Sequence, residues 1–137
     1  MIREHGLTEN IVFLPGGGKK FLTDLLNSSK IFVMTSQGEG LPMAVVEAMS
    51  CSLPVVIFDD ADNTDICKHD YNSLVCELWD TDAFADNVRK LLTDHELYNR
   101  LAANANKLRD ERSHDYSLAY ALDLWKGILQ QVDSIKR

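Results

Sequence analysis

The chain has 137 residues, of which 45% are hydrophobic, and its formal net charge at pH 7 is −7. This length predicts one compact domain, 1–137, with a single core. The negative charge and the lack of a basic stripe exclude nucleic acid as a partner, because that affinity comes largely from Lys and Arg side chains that neutralise phosphates.

Nothing in the sequence indicates a membrane span, a signal peptide or a metal site. No run of about 18 apolar residues is present, and the first residues lack the basic-then-apolar order of a signal peptide. Cys51, Cys67 and Cys76 lack metal-ligand spacing and predict buried, reduced thiols of a cytoplasmic protein. No two of the four histidines have the i, i+4 spacing of a helical metal site.

The first predicted element is the end of a helix. Residues 2–5 followed by Gly6 resemble a last helical turn that a glycine closes. Because these residues leave no room for the rest of that helix, we expect the chain to begin inside a domain.

Four short apolar runs predict buried strands at 11–14, 31–34, 55–58 and, more weakly, 74–76. They do not alternate with polar residues, which is typical of parallel strands covered on both faces. Helical patterns lie between them, at 21–26 and after Pro42. From residue 80, apolar residues recur every three or four positions and predict three amphipathic helices, at 84–92, 97–108 and 118–129. The fold class is therefore α/β, a three-layer Rossmann-like parallel sheet with helices on both faces.

The stretch SQGEGLPMAVVEAMS, residues 36–50, contains the most informative loop. It begins at the carboxyl end of strand 31–34, where open parallel sheets bind ligands. Pro42 fits the first position of the next helix, so the amides of Met43 and Ala44 have no partner inside it. Gly38 and Gly40 let backbone amides approach a ligand closely. These features predict an anion site suited to a diphosphate.

Glu47 lies on the polar side of this predicted helix. A step of 100° per residue places Val45, Ala48 and Met49 on one broad face and Glu47 opposite them. A carboxylate accepts two hydrogen bonds side by side, which matches the neighbouring hydroxyls of a ribose. Taken alone, a glutamate on a polar helix face is usually only solvated, but the loop, its glycines and the second glutamate favour a ligand contact.

Two further stretches have competing interpretations. The sequence PGGGKK at 15–20 is not a phosphate loop, since Phe13 stands where that motif needs glycine and Lys20 where it needs Ser or Thr. Two interpretations of residues 15–20 remain: a tight glycine turn that opens the next helix, or a contact with a nucleotide. The acids after strand 55–58 form a solvated loop or, in a non-enzymatic switch module, a Mg²⁺ site for phospho-acceptor chemistry; they are Asp59, Asp60, Asp62 and Asp65. A scaffold without ligand binding is the other non-enzymatic alternative.

The segment EGLPMAVVEAMSCSLPVV, in which seven residues separate Glu39 from Glu47, resembles the nucleotide-binding segment of retaining glycosyltransferase family 4. Residues 10–14 and 29–33 are similar to neighbouring strands of that family, and residues 93–97 are similar to the start of its penultimate helix. The resemblance runs from about residue 7 to residue 130. It implies the C-terminal half of a GT-B fold, truncated at its N-terminus, without the first strand and the basic pair.

The resemblance implies a hexosyltransferase that uses a UDP- or GDP-sugar, needs no metal or other cofactor and acts in polysaccharide biosynthesis. Its partners would be the nucleotide sugar and the missing N-terminal acceptor domain of the same enzyme, which can lie peripherally at a membrane. The chain alone would bind the donor without catalysis. Glu39 would be the catalytic residue that contacts the transferred sugar. The donor-binding residues would be Gly16, Gly17, Gly38, Gly40, Leu41, Met43, Ala44 and Glu47, with Glu47 on the ribose and the first two glycines near the base.

The sequence departs from the family pattern at three sites. Ser52 stands where the family usually has glycine after the cysteine, Asp60 and the two residues after it replace a glycine pair, and Ser73 replaces the glycine of an Asn-Gly step. We expect the loop 59–65 to be altered in consequence.

Overall fold

The computed structural model describes residues 1–38, 42–60 and 66–112, with side chains up to residue 107. In these ranges the elements are α1 (Lys19–Ser28), β1 (Phe32–Met34), α2 (Met43–Ser50), β2 (Val55–Phe58), β3 (Ser73–Cys76), α3 (Thr81–Thr93) and α4 (His95–Arg112). The predicted helix at 118–129 lies outside the described residues. No helix in the described ranges is long and apolar enough to cross a membrane.

The three strands form a parallel sheet in which β2 lies between β1 and β3. Val55 and Ile57 face α2, whereas Val56, between them, packs with Leu91 of α3 and Leu101 of α4. All four residues of β2 are buried. Helices therefore cover both faces, and the predicted three-layer α/β architecture is confirmed.

The predicted strand at 11–14 is wrong. These residues form no strand, and Val12 and Phe13 are 77% and 82% exposed. An extended segment needs a neighbour for its N–H and C=O groups. Within the described residues, β1 pairs only with β2, and no strand pairs with 11–14. The apolar run thus has the composition of a strand, but no described strand pairs with it.

Two helical turns end at a residue in the left-handed conformation, Gly6 with φ +66° and Ser52 with φ +60°. The first confirms the predicted glycine-closed turn. After α2, the Ser52 amide donates to the Met49 carbonyl at 2.9 Å, and the Leu53 amide donates to the Ala48 carbonyl at 3.1 Å. This pair of bonds is the Schellman motif, in which glycine is the favoured residue at the position of Ser52.

Ser52→Gly is expected to raise the free energy of unfolding by about 1 kcal/mol, because glycine adopts a left-handed φ without the steric cost that a Cβ imposes. Urea denaturation of both proteins measures the change. Ser50→Gly is the matched control: Ser50 is the last residue of α2, so glycine there should instead lower stability by up to about 1 kcal/mol. Equal losses from both substitutions would contradict the strain at Ser52.

Asn72 organises the turn that leads into β3. Its side chain is buried, its Oδ1 accepts from the Lys68 amide at 2.8 Å, and its Nδ2 donates to the Ile66 carbonyl at 2.9 Å. The Ser73 hydroxyl also donates to Asn72 Oδ1, at 3.2 Å. A glycine at position 73 would lack the hydroxyl that adds the last of these bonds to Asn72.

Arg100 of α4 holds the same turn from outside. Its guanidinium donates to the Asp70 carboxylate at 2.9 Å and also to the Asp70 carbonyl. This side-chain hydrogen bond, reinforced by charge attraction, lowers the pKa of Asp70. Asn104, one turn further along α4, donates to the Tyr71 carbonyl at 2.9 Å. Side-chain hydrogen bonds from Arg100 and Asn104 therefore connect helix α4 to the turn before β3.

The cysteines are free thiols, and two of the three are buried as predicted. Burial raises the pKa of Cys67 to about 11 and also raises that of Cys76. Cys51 differs, because it follows α2 at the surface and is half-buried. Neither buried thiol is suited to act as a nucleophile at neutral pH.

Candidate functional site

The candidate site lies where β1 and β2 end at their carboxyl edges. Met34 of β1 and Ile57 of β2 stand opposite each other, so the loops after the two strands emerge side by side. The loop after β1 leads to α2, and its residues Glu39, Gly40 and Leu41 lie outside the described residues. The roles predicted for those three residues stay predictions.

The start of α2 has two backbone donors that find no acceptor among the described residues. Pro42 is the N-cap and not, as predicted, the first helical residue, because its ψ of 79° is outside the helical range. Its carbonyl accepts from the amides of Val45 and Val46. The amides of Met43 and Ala44 have no partner within the described ranges, and no side chain there caps the helix. The helix dipole adds partial positive charge at this end.

Glu47 is exposed on α2, opposite a face on which Val45, Ala48 and Met49 are fully buried, as the helical pattern predicts. It lines a groove of about 300 Å³ between α1 and α2. The other lining residues are Lys19, Leu22, Thr23, Leu26, Val46, Ser50 and Cys51. No hydrogen bond or ion pair of the Glu47 carboxylate is found in the described part of the chain, so its oxygens remain available to accept hydroxyl donors.

The glycine run before α1 lies next to this groove in the chain. Gly18 is the N-cap of α1, directly before Lys19, and no side chain caps the helix. A Cβ on Gly17 would collide with the ring of Phe21, whereas one on Gly16 or Gly18 would meet nothing. A side chain at position 17 would therefore displace Phe21 from its present position. The predicted contact of Gly16 and Gly17 with a base stays a prediction.

A hydrogen bond between their described residues joins the loops after β1 and β2. The amide of Gly38, whose φ is +68°, donates to Asp60 Oδ2 at 2.7 Å. The backbone of Asp59 is also hydrogen-bonded. Its amide donates to the carbonyl of Cys76, the last residue of β3, over 2.7 Å. Of the four acids that could form a Mg²⁺ site, Asp62 and Asp65 lie outside the described residues.

Trp79 is a candidate that the sequence reasoning missed. It is 70% exposed, has a φ of +69°, and lines a cavity of about 310 Å³ with Thr35, Phe58, Thr81, Phe84 and Ala85. Thr35 directly follows β1, so this cavity borders the same edge of the sheet from the α3 side. A bulky residue at positive φ is rare. The one sequence feature that could have indicated this residue is its position directly before Asp80. Asp80 caps α3 by accepting a hydrogen bond from the Ala83 amide.

The comparisons with known proteins agree on one family. The family model described as "Glycosyl transferases group 1" matches residues 1–108. An uncharacterized glycosyltransferase of Haemophilus influenzae is 32% identical over 103 residues, which are 74% of this chain and 28% of that protein. The Escherichia coli UDP-Gal:alpha-D-GlcNAc-diphosphoundecaprenol alpha-1,3-galactosyltransferase is 31% identical over 93 residues, or 67% of this chain and 24% of that enzyme.

A solved structure of S. aureus TarM in complex with UDP, among other ligands, is 28% identical and superimposes with a TM-score of 0.78. The superposition covers 92% of this chain and 25% of TarM. The fold is that of GT-B glycosyltransferases, of which the chain matches only a part. Because the family model covers 108 of 137 residues and these relatives agree with it, the chain belongs to the group 1 glycosyl transferases.

Proposed function

We propose that the chain is the C-terminal, donor-binding domain of a retaining glycosyltransferase of family 4, which transfers a hexose-type sugar from UDP- or GDP-sugar to an acceptor hydroxyl. The observation that carries the proposal is the exposed carboxylate of Glu47 in the groove between α1 and α2, which has no partner among the described residues. The names of similar proteins support the donor class, since one uses UDP-Gal and another was solved with UDP.

The proposed donor runs along the groove and ends at the sheet edge. Glu47 accepts hydrogen bonds from the two ribose hydroxyls, and the base lies near Gly16 and Gly17. The amides of Met43 and Ala44, which have no partner in the described ranges, bind the diphosphate, with the α2 dipole in support. Glu39 then contacts the transferred sugar. Backbone donors and the helix dipole compensate the diphosphate charge, so the proposed mode of binding needs no metal.

The proposal also assigns the exposed apolar surface near the N-terminus. The chain spans only 28% and 24% of the two curated relatives described above. Ile11 and Phe13 line a groove with residues 1–4 and Thr8, and β1 has no second neighbour among the described strands. In a longer enzyme, a first strand, a basic pair and the acceptor domain would cover this region. That enzyme would be cytoplasmic, could lie at a membrane surface, and would build polysaccharide.

Titration with UDP, GDP and ADP and with their sugar conjugates tests the proposal. We expect dissociation constants near or above about 1 mM, equivalent to about 4 kcal/mol of binding, with UDP or GDP bound best. We expect weak binding because the proposal assigns the basic pair that neutralises the diphosphate to the longer enzyme. The amide resonances of Met43 and Ala44 should move in a ¹H–¹⁵N spectrum. If no nucleotide shifts them at saturation, the site assignment fails.

Substitutions of the two glutamates should affect the binding of different ligands. Glu47→Gln should weaken UDP and UDP-glucose equally, by about tenfold, because both carry the ribose and a charge-assisted bond contributes about 1.5–3 kcal/mol. Glu39→Gln should weaken UDP-glucose alone. Glu96→Gln, at an exposed site at the start of α4, is the control and should change neither dissociation constant. Equal effects of Glu39→Gln on both ligands would refute its role at the sugar.

A further inference from the structure

We propose that the cavity beside Trp79 is a second ligand site, which binds the ring of a neutral saccharide by stacking it on the indole. The site goes beyond the proposed function, because it uses none of the residues assigned to the nucleotide. Trp79, Phe58 and Phe84 form the aromatic part of its lining, and Thr35 and Thr81 form a polar part.

The backbone holds Trp79 in an unfavourable conformation. Its φ is +69°, a value that the Cβ of a bulky residue makes sterically costly. The Thr81 amide donates to the Trp79 carbonyl at 2.8 Å, and the Asp80 amide donates to the Glu77 carbonyl at 3.1 Å. These bonds fix the turn between β3 and α3, yet Trp79 stays 70% exposed. Burial of the indole therefore does not offset the strain, and strain of this kind is typical of functional sites.

The buried side of the cavity is aromatic as well. Phe58, at the end of β2, is 4% exposed, and its ring centroid lies 4.8 Å from that of Phe84 in α3. Phe58 points to the same face of the sheet as Val56, which packs against α3, because side chains alternate along a strand. Glu47 belongs to α2, which covers the opposite face. The cavity and the groove of Glu47 thus lie on different faces of the sheet.

The lining suits a ring that is apolar on one face and polar at its edge. No charged side chain is found among the described lining residues, so an anion has no counter-charge there. The hydroxyls of Thr35 and Thr81 have no hydrogen bond in the described ranges, and each can donate and accept. A pyranose matches both features: its C–H bonds carry partial positive charge that the negative face of an indole attracts, and its hydroxyls lie at the rim.

Size and family point to the same ligand class. The volume of about 310 Å³ is at the lower end of the range of ligand pockets, about 300–1,000 Å³, and suits a small ring. Because the chain belongs to the group 1 glycosyl transferases, saccharides are among the molecules that it meets. A nucleobase also stacks on an indole, but it presents amide and carbonyl groups for which the described lining has no amide or charged side chain.

Titration of the 137-residue chain with the methyl glycosides of glucose, galactose and N-acetylglucosamine tests the inference. Binding is followed in a ¹H–¹⁵N spectrum through the indole resonance of Trp79, which Trp79→Phe identifies by its loss, and through the amides of Thr35 and Ala85. We expect at least one glycoside to bind with a millimolar dissociation constant. Trp79→Ala should weaken it at least tenfold and Thr81→Val about fivefold. Tyr71→Ala removes an exposed aromatic side chain that does not line the cavity and should change nothing.

Trp79→Gly separates binding from packing. Glycine adopts a positive φ without steric cost, and the side chain that it removes is mostly exposed. We expect Tm to rise by about 4 °C while glycoside binding is lost. A fall in Tm with glycoside binding unchanged would mean that Trp79 serves packing alone, and the inference would be wrong.

The remaining outcomes keep this inference apart from the proposed function. If no glycoside moves the Trp79 resonance, or if uridine moves it more than every glycoside does, the saccharide site is wrong. If UDP-glucose moves it but no free glycoside does, the ring belongs to the donor and a separate site is wrong. UDP binding, measured at the amides of Met43 and Ala44, should be the same in Trp79→Ala as in the wild type. Failure of UDP to bind would therefore refute the nucleotide site without touching the saccharide site.

Discussion

The 137-residue chain is expected to bind a nucleotide sugar and to form no glycoside when simple acceptors are added. Transfer requires the acceptor oxygen and the sugar carbon to be held together, an effect that contributes about 7–11 kcal/mol in well-oriented reactions. It also requires exclusion of water from the activated sugar. The described site is a surface groove on one domain, which supplies neither. Mass spectrometry of the acceptors and assay of released UDP would detect any transfer.

Two additions to this experiment make it decisive. EDTA should leave the dissociation constant of UDP unchanged, because the proposed diphosphate contacts are backbone amides. If the chain is joined to the first strand and acceptor domain of the longer enzyme that we propose, binding should tighten and transfer should occur, and Glu39→Gln in that protein should abolish the transfer. Robust transfer by the 137 residues alone, or loss of binding on chelation, would overturn the assignment as a donor-binding domain.

Asn72→Ala is expected to lower the free energy of unfolding by about 3 kcal/mol. The substitution leaves the Ile66 carbonyl and the Lys68 amide without their partners, and an unsatisfied buried polar group costs about 1–3 kcal/mol. Because Asn72 is only 2% exposed, water does not readily replace the lost side chain. Denaturant unfolding monitored by circular dichroism measures the loss.

Asn99→Ala provides the matched control, since Asn99 is exposed on α4 and should cost less than about 0.5 kcal/mol. Asn72→Asp refines the test, because its carboxylate can still accept from Lys68 but cannot donate to Ile66. It should be destabilising as well. A loss from Asn72→Ala as small as that of the control would mean that the turn before β3 does not depend on this side chain.

The sequence predicted the sheet well where a strand is buried on both sides. The apolar run 55–58 coincides with β2, whose residues face α2 and α3 in alternation. The position of Glu47 was also predictable, because a helix of eight residues with three buried side chains leaves few orientations for a carboxylate. In both cases the neighbouring residues in the sequence determine the environment.

The errors and omissions concern contacts between distant residues. Residues 11–14 have the composition of a strand, but pairing depends on a neighbour that local composition does not reveal. The bond between Gly38 and Asp60 joins residues 22 positions apart, so the sequence indicated only that acids replace a glycine pair. Trp79 was missed because its significance comes from its exposure and backbone conformation, which no periodic pattern encodes.

The bare apolar run at 11–14 has a further consequence, for the behaviour of the chain in concentrated solution. The run has four uncharged apolar residues, three of them of high β propensity, and β1 lacks a second neighbour among the described strands. The run can therefore act as a template for strands of other copies. Pro15, directly after the run, has no backbone N–H to donate, and it therefore limits how far such strand pairing extends. Self-association therefore competes with ligand binding as protein concentration rises, and millimolar affinities are best measured by titrating ligand into dilute chain.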